Sequence, residues 1–138
     1  MYKHILHATD LNENHFSTCE QAKKIASYFK ATLHIVHVID TPVSLQLAQG
    51  LGFAEITLPA KDDAKLVMSL LGEALNIPES QQFIEVGSTR ECIIKKIKEL
   101  NCTLLIIGGH AQTQASELLN NTARILNEDV PCDVLTLR

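Results

Sequence analysis

The chain is predicted to fold as a single-domain α/β protein, a three-layer α/β/α sandwich around a five-stranded parallel sheet. Short runs of apolar and β-branched residues alternate with longer segments whose apolar residues recur every three or four positions. Each connecting segment is long enough for a right-handed crossover, which makes the strands largely parallel. The length of 138 residues suits one domain over residues 1–138.

The first half of the chain predicts two strands and two helices. Lys3–Ala8 forms the first strand, a helix runs from about Asn14 to Lys30, and Thr32–Val38 forms the second strand. Ile39 to about Pro59 has no clear period and is the longest irregular connection, and a helix follows from Ala60 to about Leu75. The predicted buried faces are Phe16, Cys19, Ala22, Ile25, Ala26 and Phe29 in the first helix, and Ala64, Val67, Leu71, Ala74 and Leu75 in the second.

The second half continues the alternation. Gln82–Val86 is the third strand, and Ser88 and Glu91 have the spacing of a capping box that starts the next helix. That helix carries an apolar stripe formed by Ile93, Ile94, Ile97 and Leu100. Thr103–Ile107 is predicted as the fourth strand, Ser116–Asn127 as the fourth helix, and Asp133–Leu137 as the last strand.

Charge and apolar patterning exclude two classes of partner. The net charge is −4, and Lys95, Lys96 and Lys98 share their helix with Glu91 and Glu99, so this lysine cluster is interpreted as a solvated face and no nucleic acid is expected. No apolar run approaches the ~20 residues of a membrane span, and the N-terminus does not resemble a signal peptide. No membrane association is expected, and the predicted location is cytoplasmic.

Cysteines and histidines give little indication of a metal site. The four cysteines, Cys19, Cys92, Cys102 and Cys132, have no CxxC spacing and are interpreted as reduced, packed thiols. The four histidines His4, His7, His34 and His37 alternate with apolar residues in the first two strands, which favours packing positions, although adjacent strands could bring them together. No metal ligand is predicted.

The carboxyl ends of the strands carry the candidate binding residues, because ligands of such sheets bind there. Asp10 could accept hydrogen bonds from a base or ribose, hold a divalent ion, or cap a turn. Gly87 allows either close backbone approach or a structural turn. After Gly108, His110 could donate to an anion, shuttle a proton, or be a polar loop residue. No motif for hydrolytic or redox catalysis occurs, so no catalytic residue is predicted.

These segments, taken in order, resemble the universal stress protein family. The resemblance rests on Tyr2-Lys3-His4-Ile5-Leu6 leading into Ala8-Thr9-Asp10-Leu11, on Leu33-His34-Ile35-Val36-His37-Val38, on Gly87-Ser88, on Ile106-Ile107-Gly108-Gly109-His110, and on Val130-Pro131-Cys132-Asp133-Val134-Leu135. It covers essentially the whole chain. The resemblance implies an adenine nucleotide alpha hydrolase-like sheet with strand order 3-2-1-4-5, and a homodimer formed through the C-terminal strand.

Nucleotide-binding members of that family carry a pattern of Gly, two residues, Gly, nine residues, Gly, and then Ser or Thr. In this chain the pattern falls on Gly108, Ala111, Asn121 and Thr122, so the first glycine and the final hydroxyl remain. Ala111 adds a Cβ where the loop would wrap a phosphate, and Asn121 is larger than glycine and polar. The segment resembles the A-type proteins of the family, in which ATP is not bound.

The resemblance therefore implies a cytoplasmic, homodimeric stress-response or regulatory protein with an incomplete ATP-binding loop, no cofactor, no enzymatic activity and an unidentified protein partner. The alternative is an ATP-binding switch or slow ATPase that uses ATP with Mg. The residues of this weak or vestigial nucleotide cleft are Asp10, Val38, Gly87, Gly108, His110 and Thr122. A third hypothesis, a small-molecule sensor with Ile39–Pro59 as a lid, rests on loop length alone.

Overall fold

A computed structural model describes residues 1–11, 15–40, 58–108 and 130–137. The described elements, in chain order, are β1 (His4–Ala8), α1 (His15–Phe29), β2 (Thr32–Asp40), α2 (Leu58–Leu75), a 3-10 turn (Glu79–Gln81), β3 (Gln82–Gly87), α3 (Thr89–Leu100), β4 (Leu104–Gly108) and β5 (Asp133–Leu137). The predicted elements are confirmed within these residues, with small shifts at their ends. The predicted helix Ser116–Asn127 and most of the irregular connection lie outside the described residues.

The five strands form one sheet in the order β3-β2-β1-β4-β5, and every pairing is parallel. The predicted order 3-2-1-4-5 is confirmed. In the registers, Ala8 of β1 lies opposite Val36 of β2 and Ile107 of β4. The direction in which successive strands are added reverses between β1 and β4, and this is where sheets of this kind open a crevice for ligands.

Helices α1 and α2 pack on one face of the sheet. Their buried residues meet alternate strand residues in a single core of Ile5, Cys19, Ala22, Ala26, Leu33, Ile35, Met68, Leu71, Ile77, Leu104 and Ile106. The central strands β1, β2 and β4 are covered on both faces, which explains why their sequences are largely apolar.

Helix α3 packs on the opposite face. The core on that side contains Leu6, Ala8, Val36, Ile93, Ile97, Cys102, Leu105 and Ile107. Each helix is followed by one residue in the left-handed conformation, namely Lys30, Asn76 and Asn101, with φ of 53°, 56° and 54°. This conformation ends helices commonly, and asparagine adopts it more readily than most residues do.

Four local predictions are wrong. Phe16 is 44% exposed, because it lies in the first turn of α1, beyond the carboxyl end of the strand that leads into that helix. Ala74 is exposed, whereas Met68, which was not among the predicted core residues of this helix, is buried. Ser88 is the N-cap of α3, but its side chain makes no capping hydrogen bond. Lys96 is not on a solvated face, since only 12% of its side chain is exposed.

None of the helices in the described ranges is long and apolar enough to cross a membrane.

Candidate functional site

The carboxyl edge of the sheet brings together three of the sequence-predicted residues. Strand registers place Val38 at the level of Asp10 and Gly108 at the level of Thr9, because Val36 and Ile107 both lie opposite Ala8. Gly87 lies two residues further along β3, opposite Asp40, with β2 between it and β1. Asp10 and Gly108 therefore flank the crevice between β1 and β4, Val38 lies beside Asp10 at the end of β2, and Gly87 lies one strand further away on β3.

Thr9 fixes the shape of the turn that follows β1. Its backbone N–H donates to Val36 O at 2.9 Å, and its Oγ1 accepts from the backbone N–H of Leu11 at 3.2 Å. Its carbonyl oxygen lies 2.8 Å from Nδ1 of His37. A carbonyl can only accept, so Nδ1 of His37 carries the proton. These bonds hold the Thr9 backbone against β2.

Leu11 and Asp10 complete this turn. Leu11 has φ of 57°, a conformation uncommon for a bulky L-residue. Its side chain packs against the core between α1, α2 and the sheet, which keeps it in place. Asp10 is half-buried.

The Cys19 thiol on α1 lies close to this turn. Burial raises the pKa of this thiol to about 12, with the Asp10 charge adding to the rise and a hydrogen bond to Thr9 opposing it.

Gly87 ends β3 with φ of 146°, a conformation that L side chains rarely adopt. The glycine therefore has a backbone role at the entry to α3, and both sequence interpretations of it remain compatible with this geometry. The chain then enters α3 through Ser88, whose carbonyl accepts the Cys92 N–H at 2.9 Å. Because the Ser88 side chain makes no capping bond, the first amides of α3 are not occupied by it.

Gly108 has a packing role that the sequence did not indicate. A Cβ placed on it would lie 3.2 Å from Cγ2 of Thr18 on α1. The missing side chain lets α1 approach the end of β4 closely. Part of the space above this glycine is thus already occupied by the protein itself.

The remaining predicted positions are not described. His110 and Thr122 lie outside the described residues, and so do Ala111 and Asn121. In the described ranges no group of three or more His, Cys, Asp or Glu side chains could hold a metal ion.

Sequence reasoning missed Thr9, Thr18 and His37. Thr18 gives no sequence signal, because its role depends on how closely α1 approaches β4. His37 was interpreted as a packing position, and its bond to a backbone carbonyl depends on the pairing register of β1 and β2. The crevice offers a carboxylate, an apolar side chain and the amides of a helix start, which are groups that can bind a polar small molecule.

A family model and two curated relatives carry the same family description. The universal stress protein family model matches residues 1–138. Universal stress protein A homolog 1 of Coxiella burnetii is 26% identical over 147 residues, covering 99% of this chain and 96% of that protein. The universal stress protein A homolog of Haemophilus influenzae is 30% identical over 132 residues, covering 92% of this chain and 90% of that protein.

A crystal structure of a universal stress protein in complex with cAMP has the same fold. It superimposes with a TM-score of 0.69 at 16% identity, over 99% of this chain and 97% of that one. Fold, strand order and sequence similarity over the full chain agree, and the chain belongs to the universal stress protein family.

Proposed function

We propose that this protein is a cytoplasmic, homodimeric stress-response protein that acts as a regulatory or binding module and does not bind ATP strongly. The observation that carries the proposal is the contact between Thr18 and the end of β4, because it places a methyl group over Gly108. This glycine is the first residue of the family's nucleotide pattern. The next two glycines of the pattern are Ala111 and Asn121 in this chain.

The physical argument concerns close approach. A phosphate held by a loop needs backbone amides that no side chain shields, and glycine provides them. Here one glycine serves helix packing and two are replaced, so fewer amides are available to the phosphates. The carboxylate of Asp10 does not compensate for this loss, because its negative charge repels the phosphates, and the hydroxyl of Thr122 supplies only a single hydrogen-bond donor.

Calorimetric titration of the purified protein with Mg-ATP tests the proposal. We expect no binding in the micromolar range for the natural chain. The matched variant Ala111→Gly/Asn121→Gly restores the family pattern and should bind ATP more tightly than the natural chain. Micromolar affinity of the natural chain for ATP would refute the proposal.

The second candidate function is an ATP-binding switch or slow ATPase, with Mg as the accompanying ion. Two observations favour it: the positive φ of Gly87, and the absence of a side-chain hydrogen bond from Ser88 to the first amides of α3. Val38 would line the base and ribose end of this cleft beside Asp10, and His110 and Thr122 would lie near the phosphates. Mass spectrometry of a heat-denatured preparation detects any co-purified nucleotide. Finding none, together with no thermal shift under Mg-ATP, would exclude this candidate.

The proposed dimer uses β5, which has a strand neighbour on one side only in the described sheet. Leu135 on this strand is 37% exposed, an apolar side chain next to an open edge. Light scattering during gel filtration should show a dimer, and Leu135→Asp should shift it toward the monomer. Leu70→Asp is the matched control, because Leu70 is 58% exposed on α2. A monomeric natural chain, or equal behaviour of both variants, would exclude pairing through β5.

A cytoplasmic location fits the four free cysteines, which carry no disulfide. Neither nucleic acid nor a membrane is proposed as a partner, and the net charge of −4 is the main argument against the former.

A further inference from the structure

Two imidazole rings meet on the face of the sheet that α3 covers, at the end opposite the candidate site. Nδ1 of His4 on β1 lies 3.3 Å from Nε2 of His34 on β2. The ring centroids are 5.5 Å apart. This distance exceeds the nitrogen–nitrogen distance by about the sum of the two centroid-to-nitrogen distances, as it does when both nitrogens lie on the line between the centroids. The rings therefore point at one another nearly end to end, as in a hydrogen bond in which one nitrogen carries the proton and the other accepts it.

The pair is half-buried, and His34 is its more buried member. His34 is only 8% exposed, and Phe83 of β3 lies on its other side with a ring separation of 6.3 Å. Beyond Phe83, Nζ of Lys96 on α3 lies 4.3 Å from the phenyl centroid. A row of four side chains in contact, His4, His34, Phe83 and Lys96, thus runs from β1 across β2 and β3 to α3.

The charges along this row do not favour additional positive charge. Lys96 is already a cation, and its ammonium group forms ion pairs with both nearby carboxylates, Glu85 at 2.9 Å and Glu99 at 3.1 Å. Within the described residues, no carboxylate makes a hydrogen bond or ion pair with either imidazole of the pair. The buried Cys102 thiol in the same core stays neutral, because burial raises its pKa to about 12.

We propose that the His4–His34 pair makes the packing of α3 on β1 and β2 sensitive to acid. In the neutral pair one ring donates its N–H to the other, which joins the two strands, and one added proton leaves that hydrogen bond in place. A second added proton places two cations end to end in a half-buried site, where no carboxylate of the described residues pairs with them. The repulsion and the cost of burying charge then act against the packing.

The direction of the effect follows from His34. Burial, with the neighbouring His4 as a smaller cause, lowers the pKa of His34 below its usual 6.5. The folded protein therefore binds fewer protons than the unfolded chain as the solution is acidified. The stabilisation is present above the unfolded pKa and is lost as the pH falls through the folded one.

Urea unfolding between pH 7.5 and 5 tests the proposal. The unfolding constant of the natural chain should rise on acidification, by at most about tenfold per pH unit for each additional proton that the unfolded chain binds. His34→Gln and His4→Gln should each flatten this rise. His37→Gln is the matched control and should leave it unchanged, because His37 bonds a backbone carbonyl and not a second imidazole.

Imidazole NMR of the natural chain gives a readout that does not require a variant to fold. We expect the His34 ring to titrate below the ordinary histidine value. Titration of the His34 ring at the ordinary value would overturn the proposal. Equal pH slopes for the natural chain and for a folded His34→Gln variant would also overturn it.

Discussion

Thr18 of α1 lies directly over Gly108 of β4, and a Cβ added to Gly108 would come within 3.2 Å of Cγ2 of Thr18. At that distance the helix must shift by a few tenths of an ångström. We expect Gly108→Ala to lower the free energy of unfolding by about 1 kcal/mol, the lower end of the usual cost of overpacking. Urea denaturation measures the change.

The control removes the methyl group responsible. Thr18→Ser keeps the hydroxyl and deletes Cγ2, so Gly108→Ala should cost less in that background. It should even stabilise by a few tenths of a kcal/mol, because alanine restricts the unfolded chain more than glycine does. An equal effect of Gly108→Ala in both backgrounds would show that Thr18 is not the obstacle.

Gly87→Ala should be destabilising for a different reason. A Cβ there would have ordinary contact with Cys92 Sγ at 3.4 Å, so the cost comes from the φ of 146°. Such a conformation costs an L-residue roughly 1–3 kcal/mol. Cys92→Ala should therefore not rescue Gly87→Ala in urea denaturation, and a rescue would identify crowding as the cause instead.

Lys96→Met should destabilise the protein by about 1–2 kcal/mol, because it leaves Glu85 without its cation, removes the shorter of the two ion pairs of Glu99 and removes a contact with the Phe83 ring. The figure is kept low because Glu85 and Glu99 are partly exposed and screened by water. Lys95→Met is the matched control. Lys95 is 74% exposed and lies 3.8 Å from Glu99, so its loss should change stability by less than about 0.5 kcal/mol. Equal losses would contradict the buried role of Lys96.

Two thiols near the start of β5 should react slowly. Burial, with smaller contributions from neighbouring groups, raises the pKa of Cys102 to about 12 and that of Cys132 to about 11. At pH 8 the thiolate fractions are then about 10⁻⁴ and 10⁻³, and the thiolate is the reactive form. Labelling with a disulfide reagent, followed by peptide mass spectrometry, should modify both far faster in urea than in buffer. Comparable rates in the two conditions would contradict the buried environment.

The strands could be predicted because they are short runs rich in apolar and β-branched residues joined by long crossovers, whereas the order of the sheet was implied by the resemblance to the universal stress protein family. The burial of individual helix positions was less predictable. Phe16 and Lys96 show why: Phe16 lies beyond the end of the strand that precedes its helix, and Lys96 reaches across to β3. The spacing of apolar residues along a helix indicates neither the exposure of Phe16 nor the burial of Lys96.

For the candidate site, the sequence predicted Asp10, Val38, Gly87 and Gly108 from their places at or after the carboxyl ends of strands. It could not identify Thr18, because the close approach of α1 to β4 depends on helix orientation and not on spacing. The capping role of Ser88 was half correct. Ser88 is the N-cap residue of the helix, but its side chain makes no hydrogen bond to the first turn. The motif therefore predicted where the helix begins but not how its first amides are bonded.

The two histidines that bond backbone carbonyls also bear on how the sheet assembles. His7 Nδ1 lies 3.0 Å from Ile106 O, which joins β1 to β4, and His37 Nδ1 bonds Thr9 O, which joins β2 to the end of β1. A slip of one residue would turn every side chain to the wrong face, but a slip of two would preserve the apolar alternation. Because every residue carries a backbone carbonyl, such a slip does not remove the acceptors of these two bonds. The two rings therefore tie neighbouring strands together across the sheet, while the choice of register is left to the contacts of the other side chains.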